Sequence, residues 1–147
     1  MNILVRTRIA VLERTIASGQ VPTAGELASE LDLPLEMVQE AYAKLGEEHV
    51  FVCEPGDRSR LRMANPFSAV PTSFRVRARG GSYHGNCVWD SLGIVSLLGG
   101  EGTVEASCPD CGEALTLRVA AGKLVEGDGV VHFSVPARRW WDDIVFT

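Results

Sequence analysis

Apolar positions Ile3, Val5, Ile9, Val11, Leu12 and Ile16 recur at near-helical spacing and stop short of Gly19, which predicts a first helix. After Pro22, Thr23 and Glu26 have the spacing of a capping box ahead of Leu27, Ala28 and Leu31, which predicts a second. Asp32-Leu33-Pro34 turns the chain into a third, with Asp32 or Leu33 at the cap and Pro34 in the first turn. Its buried stripe is Leu35, Val38, Tyr42 and Leu45, and Gly46 closes it. The period then changes. His49–Cys53 and Arg58–Met63 alternate on either side of Glu54-Pro55-Gly56-Asp57, so a β-hairpin is expected.

Residues 64–73 carry two prolines and no periodicity and read as an extended linker. Phe74–Ala78 alternates like a strand, and Gly80, Gly81 and Gly85 make a flexible approach to Cys87. Cys87–Leu98 has a helical stripe of Val88, Leu92, Val95 and Leu98, ended by Gly99-Gly100. Thr103–Ser107 and Leu115–Val119 read as strands flanking the Cys108–Gly112 turn, and Val130–Val135 as a further strand. Ile144-Val145-Phe146-Thr147 is apolar with no terminator. The expected class is α+β. Residues 1–63 form a winged-helix-like three-helix unit with a β-hairpin, 64–80 a linker and first strand, and 81–147 a small α/β domain.

Composition narrows the field. Apolar residues make up 46% of 147 and charged ones 22%, the balance of a globular chain. No run approaches the ~18 apolar residues of a membrane span, and the N-terminus lacks the pattern of an export signal, so no membrane partner and a cytoplasmic location are expected. Net charge is −5, and residues 1–63 hold seven basic against ten acidic side chains. The third helix offers Glu36, Gln39, Glu40 and Lys44, a poor surface for phosphates, so DNA is not expected as a partner. Arg58, Arg60 and Arg62 could touch phosphates, and their alternate spacing equally fits a solvated strand face.

Two spacings carry chemistry. Cys108-Pro109-Asp110-Cys111-Gly112 places two thiols two residues apart on a tight turn, half of a tetrahedral zinc site or a reduced pair packed at a hairpin. In Cys87-Val88-Trp89-Asp90, a sulfur and a carboxyl stand at i and i+3, on one face if the segment is helical. A helix start there would lower the thiol pKa through the N-terminal dipole, and a thiolate would raise that of Asp90, pairing a soft nucleophile with a proton donor. The plain alternative is a buried cysteine and a surface aspartate capping the turn. Trp89, Trp140 and Trp141 are expected as core or site-wall aromatics, and His84 as an exposed residue near the glycine-rich turn.

The segment Gly85-Asn86-Cys87-Val88-Trp89-Asp90-Ser91-Leu92-Gly93, after Asn65-Pro66-Phe67-Ser68 and Phe74-Arg75-Val76, resembles the alkylmercury (organomercurial) lyase family. So do Ala106-Ser107-Cys108-Pro109-Asp110-Cys111-Gly112 and Trp140-Trp141-Asp142-Asp143-Ile144. The resemblance covers most of the chain and implies a winged-helix-like part that supports catalysis and does not serve transcription. It implies cleavage of a carbon–mercury bond by protonolysis, to a hydrocarbon and Hg(II) as bound product, with no cofactor required. Cys87 would be the mercury-binding thiolate and Asp90 the proton donor. Cys108 would match a structural cysteine, and Cys111 would be an additional thiol for mercury or zinc. The implied partners are a small organomercurial substrate, and low-molecular-weight thiols or a mercuric reductase as Hg(II) acceptor.

The resemblance also places the family's second reactive cysteine one residue beyond Thr147, so the domain is expected to be C-terminally truncated. Three readings follow: a chain that binds mercury without turnover, Cys111 in the missing thiol's place, or a UGA stop read as selenocysteine. Outside catalysis, a thiophilic-metal-binding protein and a winged-helix metal-responsive regulator using Cys87, Cys108 and Cys111 are the alternatives.

Overall fold

Asn2 opens the first helix, α1 (Ile3–Ser18), its Oδ1 accepting from the Leu4 N–H at 2.9 Å. The computed structural model describes residues 2–145; Phe146 and Thr147, the end of the expected apolar tail, lie outside them, as does everything inferred from the stop after Thr147. The second helix, α2 (Ala24–Leu31), starts with the expected capping box: Glu26 N–H donates to Thr23 Oγ1 at 3.3 Å and Thr23 N–H to Glu26 Oε2 at 2.8 Å. The third, α3 (Leu35–Glu47), is capped by Pro34, where Asp32 or Leu33 was expected, and runs one residue past Gly46.

The expected buried faces of α1 and α3 need correction. On α1 the buried residues are Thr7, Ala10, Val11 and Thr15, whereas Val5 and Ile9 are 47% and 41% exposed. Small side chains let α1 lie close to its neighbours, and the Thr15 hydroxyl donates within its own helix to the Val11 carbonyl at 2.7 Å. On α3, Val38, Tyr42 and Leu45 are buried as expected but Leu35 faces outward.

The hairpin joins β1 (Phe51–Glu54) to β2 (Asp57–Ala64), antiparallel. The following residues are not simply extended. The chain turns at Asn65-Pro66, a cis peptide bond, and returns as β3 (Phe67–Ser68) against the end of β2. Phe67 is what periodicity could not locate: it is 1% exposed and packs its ring edge-on to Tyr83, 5.4 Å between centroids. It also bridges to Gly85, tying the first sheet to the second half of the chain.

That second half is a five-stranded antiparallel sheet with one helix on it. The strands are β4 (Arg75–Ala78), β5 (Gly81–His84), β6 (Gly102–Ser107), β7 (Ala114–Ala120) and β8 (Lys123–Glu126), in the order β5-β4-β6-β7-β8. The glycine-rich approach to Cys87 is therefore ordered. Ala78 pairs with Gly81 across the two-residue loop Arg79-Gly80, both at positive φ (52° and 78°), the backbone that a tight hairpin requires. The strand expected over Val130–Val135 does not form. Glycines at 127 and 129 leave β8, Val130 is 92% exposed, and the chain reaches a 3-10 turn over Ala137–Asp142 instead.

The helix α4 (Val88–Leu97) packs Ser91, Ile94 and Val95 onto this sheet; of the expected stripe Val95 and Leu98 are buried, but Val88 and Leu92 are only part-buried. Two clusters result, one around Val11, Leu27, Val38, Tyr42 and Phe51, the other around Phe67, Val76, Tyr83, Ile94 and Val104. Leu12 and Ile16 of α1 reach into the second, and Tyr83 donates its hydroxyl to the Ile16 carbonyl at 2.9 Å, so α1 serves both. Among the described residues no helix is long and apolar enough to cross a membrane.

Candidate active site

Cys87 is the N-cap of α4, with extended backbone (φ −148°, ψ −179°), and its Sγ accepts from the Asp90 N–H at 3.5 Å. The turn that delivers it is anchored on both sides. Gly85 N–H donates to the Phe74 carbonyl at 3.0 Å, and the Thr72 hydroxyl donates to the Gly85 carbonyl at 2.7 Å. Residue 85 has to be glycine for reasons of space: a Cβ would overlap Ser91 Oγ and press on Ser91 N at 2.9 Å. Fully buried Ser91 in turn donates to the Cys87 carbonyl at 2.8 Å, locking the first turn of the helix.

Helix geometry then does what the i, i+3 spacing promised. Cys87 and Asp90 both line a cavity of about 280 Å³. Its other walls are largely apolar and come from separate parts of the chain: Met63 at the end of β2, Trp89 on α4, and Phe133, Trp140 and Trp141 from the C-terminal segment. Trp140 donates its indole N–H to the Val135 carbonyl at 2.9 Å and packs against Phe133, 4.7 Å between centroids. Trp141 stacks on His49, 4.1 Å apart and 7° from parallel, so the C-terminal segment is held to the three-helix unit.

Burial rules the electrostatics. It pushes the Cys87 thiol above its ordinary pKa and outweighs the backbone N–H groups of Asp90 and Trp89, which act to lower it. The expected depression by the helix N-terminus is thus present and overcome. Burial also raises Asp90, against hydrogen bonds from Asn86 and Cys87 that lower it. The direction for Asp90 matches expectation, but the cause is lost solvation and not a neighbouring thiolate. Burial therefore shifts both groups in the same direction, toward holding a proton more tightly than they would in solvent.

Asn65 and Asn86 were not singled out by sequence reasoning, and both line the cavity. Asn86 Nδ2 donates to Asp90 Oδ2 at 3.0 Å. The only signal for this was the i, i+4 spacing of Asn86 and Asp90, which says nothing until the helix start is known. His84 is engaged elsewhere, its Nδ1 within 3.2 Å of the Thr72 backbone, and does not line the cavity.

The Cys108–Cys111 turn lies outside this site. Cys111 is exposed, neither thiol lines the cavity, and Cys108 N–H pairs with the Glu113 carbonyl at 2.8 Å to close a hairpin. The backbone N–H groups of Cys111 and Asp110 lower the Cys108 pKa. Among the described residues no three His, Cys, Asp or Glu side chains are grouped to hold a metal ion. The set Cys87, Cys108, Cys111 is therefore not assembled, Cys111 does not stand in as a second thiol at Cys87, and zinc at Cys108 and Cys111 has two of the four ligands it needs. Cys53, on β1, is half-buried and lines a separate hollow that shares Trp141 and Ile144 with the first.

Residues 67–147 match the family model described as MerB, alkylmercury lyase. No curated protein sequence matches the chain. Among solved structures, the mercury-bound form of MerB2 shares the fold, with a TM-score of 0.64 and 20% identity over 82% of this chain. The present chain spans 59% of the length of that one.

Proposed function

The chain belongs to the alkylmercury lyase family, and we propose that it cleaves the carbon–mercury bond of a small organomercurial by protonolysis, with Cys87 as the mercury-binding thiolate and Asp90 as the proton donor. The observation that carries this reading is the convergence of that sulfur and that carboxyl on one aromatic-walled cavity.

The steps follow from the site. Mercury is soft and prefers sulfur over oxygen donors. As the Cys87 sulfur bonds to mercury, the thiol proton is lost, and the adjacent Asp90 carboxylate accepts it. The raised affinity of Asp90 for a proton keeps it there. Sulfur donation into mercury makes the bound carbon more basic, and Asp90 transfers its proton to that carbon as general acid. The Hg–C bond breaks, the hydrocarbon R–H leaves, Hg(II) stays on sulfur, and Asp90 returns to carboxylate. Trp89, Phe133, Trp140 and Trp141 present an apolar wall to the bound organic group.

Among the described residues Cys87 is the one cysteine lining the cavity. A low-molecular-weight thiol supplies the second sulfur to mercury in this scheme and then carries Hg(II) away, directly or to a mercuric reductase. No cofactor takes part. The three-helix unit with its hairpin, residues 1–63, acts as a winged-helix-like support: α3 turns Gln39 to Ser59 Oγ of the hairpin at 2.6 Å, and the site is closed from this side by Met63. Residues 64–80 connect it to the catalytic part over 81–147, in the cytoplasm.

The test is incubation of the protein with phenylmercury and excess thiol, with benzene measured in the headspace. Catalytic, thiol-dependent release is expected. Mercury uptake that stops at one equivalent with no benzene would establish the non-catalytic metal-binding alternative. Salt-sensitive binding to duplex DNA would instead establish the regulator.

A further inference from the structure

The proton donor is held by more than its own helix. Asn86, just before the helix, directs its Nδ2 at three oxygens: Asp90 Oδ2 at 3.0 Å, Asn65 Oδ1 at 3.3 Å and the Pro66 carbonyl at 3.4 Å. The Pro66 carbonyl is a backbone acceptor that cannot be reversed, so it fixes which end of the amide faces this group. The same orientation leaves Asn86 Oδ1 buried without a hydrogen-bond partner in the protein. An unpaired buried carbonyl is costly to a fold. The fold accepts that cost in the orientation that turns the amide N–H donors toward Asp90, Asn65 and the Pro66 carbonyl.

Resting on the lyase reading, we infer that Asn86 is a positioning residue for the proton transfer: it holds Asp90 Oδ2 and leaves Oδ1 as the oxygen that carries the proton to carbon. An oxygen already accepting an amide N–H is the poorer place for the acidic proton, so the proton sits on its partner. Asn65 and the Pro66 carbonyl extend the clamp from α4 to the turn between β2 and β3, fixing the carboxyl between two parts of the chain. Of the described residues lining the cavity, from β2, the Asn65 turn, α4 and the C-terminal segment, only Cys87 and Asp90 are titratable, so among them no other charged group orients this carboxyl.

The experiment separates mercury capture from bond cleavage in a single turnover. The phenylmercury adduct at Cys87 is located by peptide mass, and benzene release is timed. Asn86→Ala should load Cys87 as the parent does, within about twofold, and release benzene about 10–100-fold more slowly, the scale of a misplaced reacting group. Asn65→Ala, which keeps the donor and removes one anchor, should show a smaller loss in the same step. If Asn86→Ala does not fold, Asn65→Ala decides by the same two measurements. Release at the parental rate, or loading and release falling together, overturns the inference. A parent chain that loads mercury and releases no benzene overturns the lyase reading instead. The positioning claim is then decided by the Asp90 carboxyl ¹³C resonance, which must shift in Asn86→Ala; an unshifted resonance overturns it.

Discussion

Two turns of this chain carry a cysteine three residues ahead of a second polar donor, and their surroundings are opposite. At Cys87–Asp90 the pair sits at a helix start, half-buried under aromatic rings, and burial holds both groups toward their protonated forms. At Cys108–Cys111 the pair sits on a hairpin turn with Cys108 part-exposed and Cys111 exposed, and backbone N–H groups of Cys111 and Asp110 hydrogen-bonded to the Cys108 sulfur draw it toward thiolate. Judged by ionisation alone, Cys108 is the better nucleophile of the two. The difference teaches that thiolate character does not by itself make a site. Among the described residues, the first turn has what the second does not, a cavity and a carboxyl that burial holds toward its proton, and a metal that displaces a thiol proton on binding does not need the thiolate formed beforehand.

That contrast can be broken most directly at the sulfurs. Cys87→Ser should abolish thiol-dependent benzene release, a loss on the order of 10³-fold or more, as for other essential nucleophiles. Cys108→Ser and Cys111→Ser should stay within about twofold of the parent, and equal losses at both turns would erase the distinction. Next in size, Asp90→Asn should slow release by about 10²–10⁴-fold, the range of a lost general acid, while mercury still accumulates on Cys87. Mass spectrometry of the adduct against gas chromatography of benzene separates the two effects.

The chemical reactivity of the free protein should run the other way. At neutral pH, iodoacetamide should alkylate Cys108 faster than Cys87, and the ratio should narrow as rising pH ionises the buried thiol; peptide mapping over time measures it. The smallest effect concerns stability. Folded Asp90 binds its proton more tightly than the unfolded chain does, so its contribution is favourable at acid pH and is lost as pH rises from the ordinary carboxylate range through the raised folded value. Asp90→Asn should therefore melt at or above the parental temperature at neutral pH, by no more than about 2–4 °C. The gap should close on acidification, as calorimetry would show.

Much of the local structure could be read from the residues. The capping box at Thr23 and Glu26, the end of α1 at Gly19, the β1–β2 turn and the start of α4 at Cys87 all rest on contacts within a few residues, where spacing and side-chain chemistry decide the outcome. The Cys87–Asp90 pair was legible for the same reason. What escaped was set by distant partners. Phe67 makes β3 because Tyr83 and Gly85 are waiting for it, and Val130–Val135 has the composition of a strand but stays irregular beyond β8. Val5 and Ile9 fit a helical stripe and still face solvent, because the closely packed side of α1 is the one with threonine and alanine.

The sequence by itself determined which atoms are available: a thiol and a carboxyl one helical turn apart, at the start of a helix that its own glycine and serine neighbours compel. Short-range geometry suffices for that, since three residues of helix leave little freedom. Tertiary structure alone decided their chemical state and their company. Burial, which depends on rings brought from residues 133 to 141 and on a strand end at Met63, reversed the effect of the helix N-terminus on Cys87 and set Asn65 and Asn86 around the acid. Solvation is a property of everything that surrounds a group, and no local stretch of sequence contains it.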